Sequence, residues 1–215
     1  MVELTQLNSR DEWLKARKGI GGSDAASIVG MNPWRDNVEL WEIKTGRREQ
    51  EDISEKPAVK YGTEAEEHLR ELFKLDYPHF NVNYVDNNMW KNTKMPWAHA
   101  SLDGWLTDQN GRKGILEIKT TTIQRSSQKE KWQEQIPQNY YIQLLHYLLV
   151  TEFEFAILKA QLKFEIENDL FIQTKHYHIE RQEVSEDLIF LKDAERDFAE
   201  LIKKDKRPAL ILPEI

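Results

Sequence analysis

The chain has no cysteine. This excludes a disulfide framework and any thiolate metal site, and it fits a reducing compartment. No apolar run approaches membrane-spanning length. The opening Met1-Val-Glu-Leu-Thr-Gln-Leu-Asn lacks the basic and apolar regions of a signal peptide. There is no Gly-x-Ser-x-Gly elbow and no Gly-Lys-Ser/Thr phosphate loop, which argues against a serine hydrolase and an ATPase. No two histidines are spaced as a zinc pair on one helix. His176 and His178 alternate along a strand and read as surface or rim residues. Basic charge is scarce: 30 Lys and Arg face 37 Asp and Glu, a formal net charge of −7. A generic nucleic-acid binder is usually basic. Any contact with a polyanion must therefore use a local basic lining, with Arg17, Lys18, Arg125, Lys129 and Lys131 as candidates.

What is present suffices for a globular core. The 215 residues are 40% hydrophobic, and 1–215 reads as one domain with 1–50 as an integral helical segment. Helices are predicted at 9–17, capped by Ser9, at 23–29, ending at Gly30, and at 37–46, capped by Asn37. Residues 47–58 read as a charged, exposed loop and 61–75 as a strong helix. Strands follow near 81–85, 88–91 and 97–100, then a hairpin, then a polar stretch at 121–136 that reads as mobile. A helix from Pro137 to Val150, strands at 153–162 and 170–179 joined by 165–169, and a helix at 183–204 complete an α/β pattern.

The hairpin is the informative stretch. Ser101-Leu-Asp103-Gly-Trp leads into it, and Ile115-Leu-Glu117-Ile-Lys119 returns. Residues i and i+2 of a strand share a face, so Glu117 and Lys119 point the same way. Charges on a buried strand are costly unless they pair or hold a metal. Two acids and a lysine in one place suit divalent-cation chemistry on a phosphate. The bland alternative is an amphipathic hairpin with a surface salt bridge. Register matters here. A two-residue Asn110-Gly111 turn pairs Asp103 with Ile118 and sets the acids on opposite faces. A shared metal requires a loop one residue longer, or a bulge.

Three further groups stand beside it. Glu66, in Gly62-Thr-Glu-Ala-Glu66, lies on the strong helix, where a carboxylate either adds a ligand or simply faces solvent; Glu64 and Glu67 are the alternatives. Gln143 and Tyr147 are four apart and share a helix face. The glycine-rich break between Arg17 and Ser23 could be an anion site, with Lys18 as the alternative cation, or a connector with Ser23 as N-cap. Trp34, Trp41 and the Leu40-Trp41-x-x-Lys44-Thr-Gly46 stretch read chiefly as packing of the N-terminal helices.

Asp103 followed by Glu117-x-Lys119 resembles the PD-(D/E)XK nucleases, with Leu102 where that motif has proline. Gly62…Glu66 and Gln143…Tyr147 resemble the lambda-exonuclease and RecB-like branch. Pro137-x-x-Tyr140-x-x-Gln143 and Leu-Trp…Lys-Thr-Gly resemble the YqaJ-type viral recombinases. The resemblance spans residues 13–147 in family order; 150–215 carry no motif that transfers.

The resemblance implies a PD-(D/E)XK nuclease-like core: a central mixed β-sheet flanked by helices, with an N-terminal helical segment. It implies a metal-dependent exonuclease, 5′-to-3′ on linear duplex DNA ends, acting in phage-type recombination in a bacterial host cytoplasm. The implied catalytic residues are Glu66, Asp103, Glu117, Lys119 and Gln143. Asp103, Glu117, the Ile118 carbonyl and Glu66 would serve two Mg²⁺ ions, for which Mn²⁺ can substitute. Arg17, Ser23 and Tyr147 would contact DNA, the first two at a 5′-phosphate. Implied partners are duplex DNA ends, a single-strand annealing protein and two further copies in a ring-shaped trimer, with no membrane. The alternatives are a RecB-like or restriction-type endonuclease of the same fold, and a non-catalytic DNA-end-binding protein.

Overall fold

The computed structural model describes residues 1–133, 135–167 and 169–212, with Ile166 described by its backbone alone. In chain order it runs β1 (Val2–Gln6), α1 (Arg10–Ala16), α2 (Gly22–Ile28), α3 (Asn37–Lys44), α4 (Pro57–Asp76), β2 (Asn81–Asn83), β3 (Asn88–Asn92), β4 (His99–Ala100), β5 (Gly104–Thr107), β6 (Lys113–Thr122), α5 (Ser126–Glu130), α6 (Gln138–Thr151), β7 (Phe155–Ile166), β8 (Asp169–Glu180) and α7 (Ser185–Lys203). The main sheet has the order β2-β5-β6-β7-β8, and a smaller one has the order β1-β3-β4. Among the described residues, only β6 and β7 pair in parallel in the main sheet, with α5 and α6 in the crossover. No described helix is long and apolar enough to cross a membrane.

Strand period 2 explains the layers. Leu116, Ile118, Phe155 and Ile157 pack against Leu69 and Phe73 of α4. The alternate residues Ile115, Ala156, Leu158 and Ala160 pack against Leu144 and Leu148 of α6. Glu117 and Lys119 therefore share the α6 face with Ile115. Each fully buried leucine contributes about 1.5–3 kcal/mol relative to exposure.

Several expectations need correction. Asp36, not Asn37, caps α3: its carboxylate accepts the Glu39 N–H at 2.8 Å. Asn37 is instead buried, clasping the Ala209 carbonyl and the Ile211 N–H. Pro57 starts α4 inside the expected loop, since proline needs no N–H in a first turn. Val2–Gln6, which carried no strand expectation, pairs with β3. The polar stretch at 121–136 contains the end of β6, all of α5 and a buried Trp132; its residue 134 lies outside the described residues. The connector expected at 165–169 is strand at both ends, and its residue 168 lies outside the described residues. Trp41 is buried as expected, whereas Trp34 is 73% exposed.

Asn88 on β3 fixes the approach to the hairpin. Its side chain accepts the Leu102 N–H at 2.8 Å and donates to the Leu102 carbonyl at 2.9 Å. Removing it strands two buried backbone groups. Asn88→Ala should therefore destabilise the protein by about 2–3 kcal/mol, read as a lower urea midpoint at unchanged slope. A loss of only a few tenths would show that this clasp is unimportant.

Candidate active site

The β5–β6 loop decides the register. Asp108 N–H donates to the Arg112 carbonyl and Gly111 N–H to the Asp108 carbonyl, both at 3.0 Å. Gly111 has φ +80°, the left-handed conformation that closes a three-residue hairpin loop. The Asp108 carboxylate also accepts the Asn110 and Arg112 N–H groups at 2.9 Å. The loop is thus one residue longer than the Asn-Gly turn. The ladder pairs Gly104 with Leu116, so its next step sets Asp103 opposite Glu117, on one face.

Around that pair the side chains interlock. Asp103 Oδ2 accepts the Ile118 N–H at 2.8 Å. A strand residue turns its N–H and C=O to the same edge, so the Ile118 carbonyl also lies on the Asp103 edge. Glu117 is 1% exposed; its Oε1 accepts from Lys119 Nζ at 2.6 Å and from Gln143 Nε2 at 2.9 Å. Gln143 also donates to the Tyr147 hydroxyl at 2.7 Å. Glu66 Oε1 accepts from Arg70 at 3.2 Å, and Arg70 donates to the Asp103 carbonyl at 2.6 Å.

Two close approaches make this possible. A Cβ on Gly62 would lie 3.2 Å from Thr120 Oγ1, so glycine lets α4 approach β6 one turn before Glu66. A Cβ on Gly22 would lie 2.4 Å from the Tyr147 ring. Tyr147 is accordingly buried against α2, with its hydroxyl tied to Gln143.

Asp103, Glu66, Gln143 and Tyr147 line one cleft of about 510 Å³ with Arg17, Gly21, Gly22 and Ser23. Arg17 lies over the Trp13 ring, 4.3 Å from its centroid. The Trp13 indole N–H is itself held by the Asn88 carbonyl and Ser101 Oγ. Ser23 is exposed in the first turn of α2; Gly21, not Ser23, is the N-cap. Asp24 accepts the Gly21 N–H and is paired with Lys44 and Arg35. Lys44 also donates to the Gly19 carbonyl at 2.8 Å, which gives the Leu-Trp…Lys-Thr-Gly stretch its role as a brace for the glycine-rich loop. Arg70 and Arg10, which no motif singles out, also line this cleft, and so does Trp13, to which the motif containing Arg17 assigns no role. The i, i+4 spacing of Glu66 and Arg70 was a usable signal for the first; nothing local signals the others.

Burial, reinforced by Asp103, pushes Glu117 up to about 8. Burial and Asp103 likewise push Glu66 up to about 7, against the pull of Arg70. Burial also raises Asp103 above the ordinary range. Burial opposes the charge on Lys119, but Glu117 and Asp103 overcome it and hold the ammonium well above the usual lysine range. Crowded carboxylates that retain protons are poised to exchange them for a cation. The donor set fits a hard divalent ion: carboxylate oxygens, the Ile118 carbonyl, and Glu117 Oε2, which is buried and has no hydrogen-bond partner among the described residues. Among the described residues, no group of three or more His, Cys, Asp or Glu is arranged to hold a metal. Asp103 and Glu117, with the Ile118 carbonyl, are the residues whose oxygens would suit such an ion, and Glu66, engaged by Arg70, stands beside them.

Residues 12–154, two-thirds of the chain, match the YqaJ-like viral recombinase domain. The chain belongs to that family. It is 34% identical over 190 residues to the protein YqaJ of Bacillus subtilis (strain 168), covering 87% of this chain but 55% of that protein, so it spans about half of this curated relative. Among solved structures, the YqaJ-like domain superposes on the alkaline exonuclease LHK-Exo of Laribacter hongkongensis. The TM-score is 0.66 at 18% identity, covering 91% of this chain and 93% of that one. The LHK-Exo complex with dAMP gives 0.62 at 17% identity, covering 92% and 96%. A phage-related exonuclease from Haemophilus somnus 129PT gives 0.52 at 12% identity, covering 87% and 96%. At these identities the likeness shows the fold: the expected PD-(D/E)XK nuclease-like α/β core.

The raised carboxyls give a pH signature for the cation-free protein. Unfolded carboxyls titrate near 4.5. The folded state therefore holds extra protons above that pH. The stability they lend is complete below 4.5 and is lost as pH rises through about 7 and 8. Glu117→Gln removes the larger share. Its melting temperature should gain on wild type between about pH 5 and about pH 8.5 in chelator. Parallel melting curves for the two proteins would refute the raised Glu117.

Proposed function

We propose that this YqaJ-like domain is a divalent-cation-dependent DNA exonuclease that degrades duplex ends from the 5′ side in phage-type recombination. One observation carries the reading: Asp103 and Glu117 share a face, Glu117 is bound by Lys119 and Gln143, and Asp103 and Gln143 line a cleft together with Arg17 and Ser23. The structural likeness to the alkaline exonuclease LHK-Exo and to a phage-related exonuclease supports it. Asp103, Glu117 and the Ile118 carbonyl would hold Mg²⁺ or Mn²⁺, and Glu66 would hold the surrounding waters. When bound, the ion would supply Lewis-acid polarisation of the scissile phosphodiester.

The chain's own residues do the rest. Lys119 remains protonated, so it serves as a hydrogen-bond donor to the attacking water or the phosphate, not as a base. Gln143 fixes the Glu117 carboxylate. Water adds to phosphorus, the P–O3′ bond breaks, and the 3′ oxygen leaves with a proton. The remaining strand then bears a new 5′-phosphate, the group that Arg17 and Ser23 would receive. A basic lining concentrated in this cleft would let a chain of net charge −7 act on DNA. A single-strand annealing protein and a ring-shaped trimer belong to the same reading.

Asp103→Asn should lower cation-dependent release of nucleotides from linear duplex at least about a thousandfold while leaving the fold intact. Near wild-type activity would remove Asp103 from the site. Intact activity on closed circular plasmid would favour an endonuclease. DNA-end binding without cleavage in any divalent cation would favour an end-binding protein.

Polarity is tested by crossing wild type and Arg17→Ala with 5′-phosphorylated and 5′-hydroxyl duplexes. A charge-assisted contact of about 1.5–3 kcal/mol corresponds to a loss of about ten- to a hundredfold on phosphorylated ends. Arg17→Ala should erase most of the preference for the 5′-phosphate. Equal wild-type rates on both ends, or a preference for 3′ ends, would return Arg17 to a stacked residue closing α1.

A further inference from the structure

We infer that Arg70 is a resident cation of the acid cluster: it takes the place of a second divalent ion, so the protein without DNA holds one ion and not two. The inference rests on the metal site proposed above. Its geometry is independent of it.

Arg70 is fixed from three sides. It is 5% exposed, lies on α4 one turn after Glu66, and its Nη1 donates to both Glu66 Oε1 and the Asp103 carbonyl. Its guanidinium carbon sits 3.6 Å from the centre of the Tyr84 ring. Such a group cannot withdraw without stranding a buried charge. One guanidinium nitrogen thus joins the Glu66 carboxylate to the main chain at Asp103, while Lys119 binds Glu117. A lysine has no planar group to lie over Tyr84 and would not be held with the same rigidity.

Charge then limits the cations. With all three acids ionised, Glu66, Asp103 and Glu117 against Arg70 and Lys119 leave one negative charge. One divalent ion turns the cluster weakly positive, a suitable host for a phosphodiester anion. A second ion would need Glu66, which Arg70 already engages, and would have to sit beside a guanidinium in a cleft that Arg17 also lines. In the absence of DNA phosphates nothing in the cluster offsets that repulsion.

The test counts ions. Mn²⁺ is titrated calorimetrically into the purified full chain without DNA, and bound ions are counted by electron paramagnetic resonance. Wild type should bind one. Arg70→Gln frees Glu66 and removes the positive charge, so a second binding event should appear. Arg70→Lys keeps the charge and loses the planar group held over Tyr84. It should bind one ion about tenfold more weakly, the usual cost of losing an outer support. Circular dichroism melting verifies that each variant is folded, and the wild-type count stands alone should Arg70→Gln not fold. Two ions in wild type, or one in folded Arg70→Gln, would overturn the resident-cation role. Unchanged affinity in Arg70→Lys would overturn the positioning role. Two ions with cleavage intact defeat this inference alone, whereas no ion and no cation-dependent cleavage defeat the nuclease reading with it.

Discussion

A carboxylate buried on a central strand has to be compensated, and the site is arranged around that cost. Glu117 lies at 1% exposure between two strands and a helix. An unpaired charge there would cost several kcal/mol. Lys119 and Gln143 take one oxygen, and the other has no partner among the described residues. Gln143 comes from α6, so α6 must pack closely enough for a short amide to reach. Tyr147, one turn later, holds that amide and is seated on Gly22 of α2. The chain of support from one buried oxygen thus runs outward through the crossover helix to the N-terminal segment.

The same support joins the two halves of the cleft. The glycine-rich loop before α2 is not free: Lys44 binds its Gly19 carbonyl, and Asp24 binds its Gly21 N–H. Arg35 and Lys44 together hold the Asp24 carboxyl below the ordinary range, although burial alone would raise it. Arg17, just ahead of this loop, is steadied by Trp13, which is anchored to β3 and to Ser101 beside the hairpin. Rigid mounting of both the acids and the arginine is what positioning a reactive phosphate requires, since small misplacements cost large rate factors.

Much of this was legible in the sequence because it rests on local periodicity. The i, i+2 relation of Glu117 and Lys119, the i, i+4 relation of Gln143 and Tyr147, and the apolar run at 115–118 each follow from strand or helix geometry. The loop length between Asp103 and Glu117 did not. Asn110-Gly111 favours a two-residue turn, and Asp108 overrides it by binding the Asn110 and Arg112 N–H groups. Burial of Leu106, Ile115 and Leu116 then reinforces the register. What stayed illegible was long-range. Trp13 bonds to groups 75 and 88 residues away, and Arg70 reaches a carbonyl 33 residues on. Such contacts leave no local pattern, and a buried arginine looks in sequence like any charge on a helix face.

The protonation of the cluster connects these supports to function. Without a cation, Glu66 and Glu117 keep protons up to about 7 and about 8, because burial and the Asp103 charge oppose their ionisation. Lys119 does not share in that exchange, since the same acids hold its proton more tightly. A divalent ion entering the cluster would therefore displace protons from carboxyls, not from lysine, and its apparent affinity would rise with pH until those protons are gone. Lys119 would still be charged with the ion bound. On the proposed function, the site would then offer fixed ammonium and guanidinium donors to a phosphate without a further proton transfer to prepare them.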